Sequence, residues 1–315
     1  MYYVGIDLGG TNIAIGLVDE NGKIVHKDSV PTGRERPYNE IIKDMAMLSL
    51  KVIEDAGVDM KDVKSIGIGS PGTPNNKDGV IVYSCNLNFR NVPMREEMQK
   101  YVDLPVYIEN DANCAALAES VAGAAKDVEH SVTITLGTGV GGGIVINNKV
   151  YSGFNYAASE LGHTLIVCDG EPCTCGRRGC WEAYASATAL IRQTKEAAQK
   201  HPESRINSLV DGDLSKIDAK TSFDAAREDD EVGKEVVKRY IKYVAEGIID
   251  VINNLQPAAV VIGGGICKEG ENLLKPLREL VYAGIYTKDE VPRTEIRVAQ
   301  MGNDAGIIGA AMLGK

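Results

Sequence analysis

Tyr3-Val4-Gly5-Ile6-Asp7-Leu8-Gly9-Gly10-Thr11-Asn12-Ile13-Ala14-Ile15-Gly16-Leu17-Val18 opens the chain as an apolar run, a glycine turn and a second apolar run. The plan returns at Ser131-Val132-Thr133-Ile134-Thr135-Leu136-Gly137-Thr138-Gly139-Val140-Gly141-Gly142-Gly143-Ile144-Val145-Ile146. Short apolar runs bounded by glycine read as strands. Leu-Gly-Gly-Thr and Leu-Gly-Thr-Gly hold the same place in each. Glycine at such a turn lets backbone N–H groups face a bound anion with no Cβ in the way. One such loop is a weak signal, since most glycine hairpins are only turns. Two matching loops, each opening a half of the chain, point to an internal duplication. Each half then carries one phosphate loop, and a nucleotide is held between two domains.

Between and after the loops the pattern is α/β. A helix is predicted over Tyr38–Ala56, with Ile41, Ile42, Met45, Leu48, Val52 and Ile53 at helical spacing. A strand from Val63 to Gly69 ends in Ser70-Pro71-Gly72. Another, Leu104–Glu109, runs into Asn110-Asp111-Ala112-Asn113 and an Ala-rich helix to about Gly123. The second half predicts helices near Trp181–Gln199 and Glu231–Leu255, a strand Ala258–Ile262, the triple glycine Gly263-Gly264-Gly265 and a helix from Glu271. A strand Glu295–Ala299 and a helix Ala305–Leu313 close the chain, and the charged stretch Lys216–Glu231 reads as a solvated surface segment.

With 315 residues, 44% of them hydrophobic, the chain can bury a large core. No apolar run approaches the roughly 20 residues of a membrane span, so no membrane partner is expected. Acidic residues outnumber basic ones by 44 to 34, and the net charge is −10. That balance argues against nucleic acid held by phosphate contacts. The expected class is a soluble cytoplasmic enzyme or binding protein.

Cys173-Thr-Cys175-Gly-Arg-Arg-Gly-Cys180-Trp-Glu182 packs three cysteines into eight positions, ten residues after His163 in Glu160-Leu-Gly-His163. Three thiolates and an imidazole are a full tetrahedral set for zinc. The chain has seven cysteines, an odd number, and no hydrophobic leader at Met1-Tyr2-Tyr3-Val4. A disulfide framework is therefore not expected, and metal is. Cys85, Cys114, Cys168 and Cys267 read as buried thiols without a role.

Asp111 follows an apolar strand and opens a helix, so it is either a general base or that helix's N-cap. Asp7 is similarly open: it holds a metal, or it ends the first strand. Asn86, Asn110, Asp111, Glu160, His163 and Glu182 form a mix of carboxylates and amides that suits a polyol, whose hydroxyls each donate and accept.

These segments resemble the ROK family of sugar kinases. Asp7-Leu8-Gly9-Gly10-Thr11 is similar to the family's first phosphate loop, and Leu136-Gly137-Thr138-Gly139-Val140-Gly141-Gly142-Gly143 to its second. Glu109-Asn110-Asp111-Ala112-Asn113 resembles the catalytic segment, and Glu160-Leu-Gly-His163 with Cys173-x-Cys175-Gly-x-x-Gly-Cys180-x-Glu182 the zinc and sugar signature. The resemblance implies a two-domain hexokinase/actin-like ATPase (ribonuclease H-like) α/β fold with duplicated glycine-hairpin halves. The implied boundaries are a small domain 1–120 and a large domain 121–302, with a helix at about 303–315 returning to the first.

The resemblance further implies ATP, Mg2+ and structural Zn2+. Asp111 would be the base for a sugar hydroxyl attacking the γ-phosphate, and Gly72, Asn86, Asn110, Glu160, His163 and Glu182 would hold the sugar. Asp7, Gly9, Gly10, Thr11, Asn12, Gly137, Thr138, Gly139 and Gly141 would hold phosphates and magnesium, and Gly264 and Gly265 the adenosine. His163, Cys173, Cys175 and Cys180 would hold the zinc. Glucose is the favoured hexose because the zinc and sugar segment is most like the glucokinase branch. N-acetylmannosamine, fructose, mannose and allose are the alternatives. The family's repressors carry a DNA-binding segment ahead of the first loop, for which Asp7 at position seven leaves no room, so no nucleic-acid partner is expected. A non-catalytic sugar sensor is the remaining alternative, and a homodimer or homotetramer is the expected assembly.

Overall fold

Turn glycines and alternating apolar residues produce the first hairpin as read: β1 (Tyr2–Leu8) pairs antiparallel with β2 (Asn12–Asp19), with Asp7 opposite Ala14. The computed structural model describes residues 1–287 and 291–315. After β3 (Ile24–Pro31) and α1 (Tyr38–Asp55) come β4 (Val63–Ser70), β5 (Thr73–Asn75), β6 (Val80–Ser84) and β7 (Phe89–Val92). Next are α2 (Met94–Gln99), β8 (Val106–Asn110) and α3 (Asp111–Val121), then β9 (Ser131–Leu136), β10 (Val140–Ile146) and β11 (Lys149–Val150). The helices α4 (Glu182–Ala185), α5 (Ala187–Lys200), α6 (Arg205–Leu209), α7 (Thr221–Arg227) and α8 (Glu231–Leu255) follow. The chain closes with β12 (Ala259–Gly263), α9 (Glu271–Gly284), β13 (Glu295–Val298) and α10 (Ala305–Met312).

The duplication is visible in the strand order. One sheet runs β3-β2-β1-β4-β8 and the other β11-β10-β9-β12-β13, so each reads third, second, first, fourth, fifth. In the first sheet β4 lies parallel to both β1 and β8, which leaves the C-terminal ends of all three at one edge. Ligand crevices form at such edges. β5, β6 and β7 make a separate antiparallel meander.

By its contacts the chain divides into two units, one of residues 1–133, 142–159 and 299–315, the other of 134–141 and 160–298. In the first unit, Ile41, Ile42, Met45, Val52 and Ile53 of α1 pack with Ile6, Ile13, Ile66 and Ile68 in one apolar cluster. A second cluster joins Leu117 and Ala118 of α3 to Ile307, Ile308 and Ala311 of α10 and to Tyr3 and Val18. α10 lies so close to the sheet that a Cβ on Gly5 would fall 1.9 Å from the Ile307 carbonyl oxygen, and one on Gly67 1.8 Å from that of Ala310. The buried Glu119 secures the approach to α10, accepting the Gln300 and Met301 amides on Oε1, each at 2.8 Å. Its Oε2 accepts the Ala124 amide at 2.8 Å. In the second unit Trp181 is buried, donates to the Tyr243 carbonyl at 2.8 Å and leaves no room for a side chain at Gly247.

The structure corrects three sequence expectations. Lys216–Glu231 is not simply a solvated segment: it contains α7, whose Phe223 is 2% exposed, since the charged flanks conceal one inward face. The single helix expected over Trp181–Gln199 is interrupted at Ser186, which takes an extended conformation and caps α5 by accepting the Ala189 amide. Cys85 and Cys168 are exposed rather than buried, Cys267 is half-buried, and only Cys114 of that group is fully enclosed. Among the described residues no helix is long and apolar enough to cross a membrane.

Candidate active site

Asp7, Gly9, Gly10, Thr11, Asn12, Gly72, Asn86, Asn110 and Asp111 all belong to the first unit. At the end of β1 the turn is drawn tight by the Gly9 amide donating to the Asn12 carbonyl at 3.0 Å. Thr32, at the end of β3, donates its hydroxyl to the Gly9 carbonyl at 2.7 Å and its amide to the Thr11 carbonyl at 2.8 Å. With those carbonyls held, the Gly10 and Thr11 amides have no protein acceptor among the described residues. Open N–H groups on a glycine turn are receptors for anionic oxygens. Asn86 lies beside this turn, its carbonyl oxygen 3.7 Å from where a Gly10 Cβ would be.

The N-cap role that the sequence left open at Asp111 falls one residue upstream. Asn110 is the N-cap of α3: its Oδ1 accepts the Ala112 amide at 2.9 Å and the Asn113 amide at 3.3 Å. Its Nδ2 donates to the Gly72 carbonyl at 3.1 Å and also bonds the Asp111 carboxylate. Asp111 is the first helical residue; its carboxylate accepts the Ala112 amide at 2.9 Å and is also bonded by its own amide and by the Asn110 side chain. Burial raises its carboxyl above the ordinary range, against the opposing pull of those donors. Asp7 is pushed up to about 6, first by burial and then by the charge of Asp111. No side-chain or backbone donor serves the Asp7 carboxylate among the described residues. Two neighbouring carboxylates without a counter-charge, the charge of one raising the other, fit a divalent cation.

The second unit holds Gly137, Thr138, Gly139, Gly141, Glu160, His163, Cys173, Cys175, Cys180, Glu182, Gly264 and Gly265. Its glycine turn is braced in the same manner as the first. The Gly137 carbonyl accepts the Ala187 amide at 2.7 Å, and that of Thr138 accepts the Thr188 hydroxyl at 2.8 Å. The Thr138 and Gly139 amides have no protein acceptor among the described residues. Gly264 has φ +94°, and a Cβ there would fall 2.2 Å from the Leu136 carbonyl oxygen. A Cβ on Gly265 would meet nothing within 4 Å, so the chain leaves space there.

Glu182 joins this turn to the cysteine cluster. Its Oε2 accepts the Val140 amide at 2.9 Å, and its Oε1 accepts from Thr174 Oγ1 at 3.3 Å. His163 ends a short 3-10 turn that begins after Glu160, and its amide donates to the Glu160 carbonyl at 3.0 Å. The ligand atoms of His163, Cys173, Cys175 and Cys180 all lie within 4.8 Å of one another. Cys173 Sγ is 3.6 Å from His163 Nδ1, and Cys175 Sγ is 3.6 Å from Cys180 Sγ. A tetrahedral zinc with Zn–S near 2.3 Å sets its sulfurs about 3.8 Å apart, so the donor set fits the ion in number, type and spacing. With Nδ1 on the cluster, the Nε2 of His163 is left for another partner.

Thr32 and Thr188 take part in these arrangements, and neither is among the residues the sequence singles out. Thr32 and Thr188 lie 23 and 50 residues from the turns they brace, so no local motif marks them.

Residues 3–315 match the ROK family along nearly the whole chain. The chain belongs to the ROK family. It is 38% identical over 311 residues to a glucokinase of Thermotoga maritima, covering 98% of this chain and 96% of that protein. The fold is close to the crystal structure of a ROK family glucokinase from Streptomyces griseus in complex with glucose and AMPPNP. There the TM-score is 0.78 at 36% identity, with 99% of each chain covered. A ROK hexokinase from Thermus thermophilus matches with TM-score 0.80 at 32% identity over 99% of this chain and 97% of that one. This ROK chain therefore has the sugar kinase/actin-like ATPase fold, with its two like-ordered sheets as the duplicated halves.

Proposed function

We propose that this ROK protein transfers the γ-phosphoryl group of ATP to a hexose, with glucose as the preferred acceptor and glucose 6-phosphate as the product. That the chain is an ATP-dependent sugar kinase follows from its near full-length identity to glucokinases and its likeness to ROK kinase structures. The glucose reading rests on those relatives together with the Glu160-Leu-Gly-His163 and cysteine segments. The observation that carries it is the pair of glycine turns whose carbonyls are pinned and whose amides stand open, one of them beside the Asp7 and Asp111 carboxylates.

In this reading Asp111 accepts the proton from the attacking sugar hydroxyl. A base tuned upward by burial is better matched to that task at neutral pH than an ordinary Asp, and it need only orient and receive, because phosphoryl transfer is mostly positioning and charge neutralisation. Asn110, its amide fixed by the cap and by the Gly72 carbonyl, presents its side chain to the sugar beside Asp111. Glu160, His163 and Glu182, with Gly72 and Asn86, complete the contacts we assign to it. The turns at Gly9–Asn12 and Gly137–Gly141 hold phosphates through open amides, and Gly264 and Gly265 leave room for adenosine. Asp7 would help hold magnesium, which neutralises phosphate charge when bound. Zinc on His163, Cys173, Cys175 and Cys180 would be structural, since four protein ligands leave no open position, and it would fix the ring of His163. We place the enzyme in the cytoplasm as a homodimer or homotetramer.

A coupled ADP-release assay across a panel of hexoses with MgATP tests the reading. Glucose is expected to give the highest kcat/KM. A higher value for N-acetylmannosamine, fructose, mannose or allose overturns the glucose assignment, and no turnover with any of them overturns the kinase.

A further inference from the structure

Glu109 is 2% exposed, yet no Lys, Arg or His pairs with it among the described residues. Burying a carboxylate without a counter-ion is costly unless donors surround it. Four do. Oε1 accepts the backbone amide of Asn110 at 2.8 Å and Asn113 Nδ2 at 3.0 Å. Oε2 accepts Asn76 Nδ2 and Ser152 Oγ, each at 2.7 Å. A carboxylate has about four acceptor positions, so Glu109 is saturated and has nothing left for a substrate.

The four donors come from three segments of the chain, two of them far from Glu109 in sequence. Asn76 follows β5, Ser152 follows β11, Asn110 is the last residue of β8, and Asn113 lies in the first turn of α3. Two of them bracket Asp111 in the sequence. Asn76 Oδ1 and Asn113 Oδ1 are buried without partners, so neither amide is present to satisfy itself: each is oriented to give its hydrogens to Glu109. A fold seeking stability alone would do better with apolar groups at this point, because half-satisfied buried amides each cost free energy.

We propose that Glu109 is a positioning residue for phosphoryl transfer: its carboxylate gathers Asn76, Ser152, the Asn110 amide and Asn113, and thereby fixes the strand-to-helix junction that carries Asn110 and Asp111. The proposal rests on the sugar kinase reading given above. The geometry explains why an acid stands here. An amide in its place keeps only one acceptor oxygen and turns an NH2 group toward two donors. The junction then loses two of its four ties without losing its apolar core.

The test is Glu109→Gln in the full-length protein, with Ser152→Ala and the double variant. Misplacing a catalytic group by about 1 Å can cost about 100-fold. For Glu109→Gln kcat is expected to fall about 30-fold or more, with the sugar KM within about threefold and a melting temperature within a few degrees of wild type. Ser152→Ala should lose less, and the double variant should lose no more than Glu109→Gln alone. Amide hydrogen exchange at Ala112 and Asn113 in the sugar-free protein should speed up in Glu109→Gln. A kcat within twofold of wild type, or a loss that tracks only the unfolded fraction, overturns the proposal. If wild type phosphorylates no hexose, the kinase reading fails by itself. The exchange measurement then decides Glu109: unchanged exchange at Ala112 and Asn113 sinks it.

Discussion

Replacing Asp7 by Asn should make the protein more stable while making it useless as a kinase. The carboxyl of Asp7 is held at about 6, against 3.8 for an unhindered Asp, by burial and by the charge of Asp111. At about 1.4 kcal/mol per pH unit, that difference corresponds to about 3 kcal/mol of destabilisation once both folded and unfolded states are ionised. The sign follows from proton counting. Between about pH 4 and 6 the folded state keeps a proton that the unfolded state has released, so this group's contribution to stability falls as pH rises through that window. Asn carries no such titration. The variant's advantage should therefore be near zero at pH 4, grow through pH 5 and 6, and level off above pH 6.5 at up to about 3 kcal/mol. For a unit of this size that is a rise of roughly 5–10 °C in the melting transition. Scanning calorimetry from pH 4 to 8 reads it directly. Adding MgATP should raise the wild-type transition more than the variant's, since Asn gives up the charge offered to magnesium. An advantage that is flat across pH, or a variant less stable than wild type at pH 7.5, refutes the reasoning.

Asp111→Ala should abolish hexose phosphorylation, a loss of about 1000-fold or more, with sugar affinity by calorimetry largely kept. The acid limb of the wild-type pH–rate profile should lie above the ordinary Asp range, because burial disfavours the ionised base. Cys175→Ser should lose bound zinc by elemental analysis and weaken sugar binding by about tenfold. Wild-type protein purified with no zinc would contradict the cluster's assignment. Gly264→Ala meets both a positive φ of +94° and the Leu136 carbonyl oxygen at 2.2 Å, so it should destabilise by about 2–4 kcal/mol and raise the KM for ATP.

What could be read in advance was the chemistry whose residues are neighbours in sequence. The glycine hairpins at Gly9–Thr11 and Gly137–Gly139 declare themselves because turn geometry is local. The cluster of His163, Cys173, Cys175 and Cys180 does so because its ligands fall within eighteen positions. The β5–β7 meander escaped notice because its strands are three to five residues long and broken by Asn75-Asn76-Lys77-Asp78-Gly79. Asp111 stayed ambiguous because capping and catalysis favour the same residue type at adjacent positions, and only coordinates separate Asn110 from it. Glu109 and Thr32 were invisible for a deeper reason. Thr32 meets Gly9 across 23 residues, and Glu109 meets Asn76 and Ser152 across 33 and 43, so their meaning exists only in the folded chain.

The last helix has a consequence for how the protein is made. Its backbone lies against glycines in the middle of the first sheet, yet it is made long after the strands it covers. At about 5–20 residues per second, the strands up to Thr133 wait roughly 10 to 40 s for the segment that covers them. Through that interval Tyr3, Val18 and Leu117 have an open face where Ile307, Ile308 and Ala311 will sit. The nascent chain thus carries an apolar groove with a reserved occupant, a natural stop for chaperones. Loss of α10 would leave that groove open, so a segment made long after the first sheet is as necessary to its unit as the strands it covers.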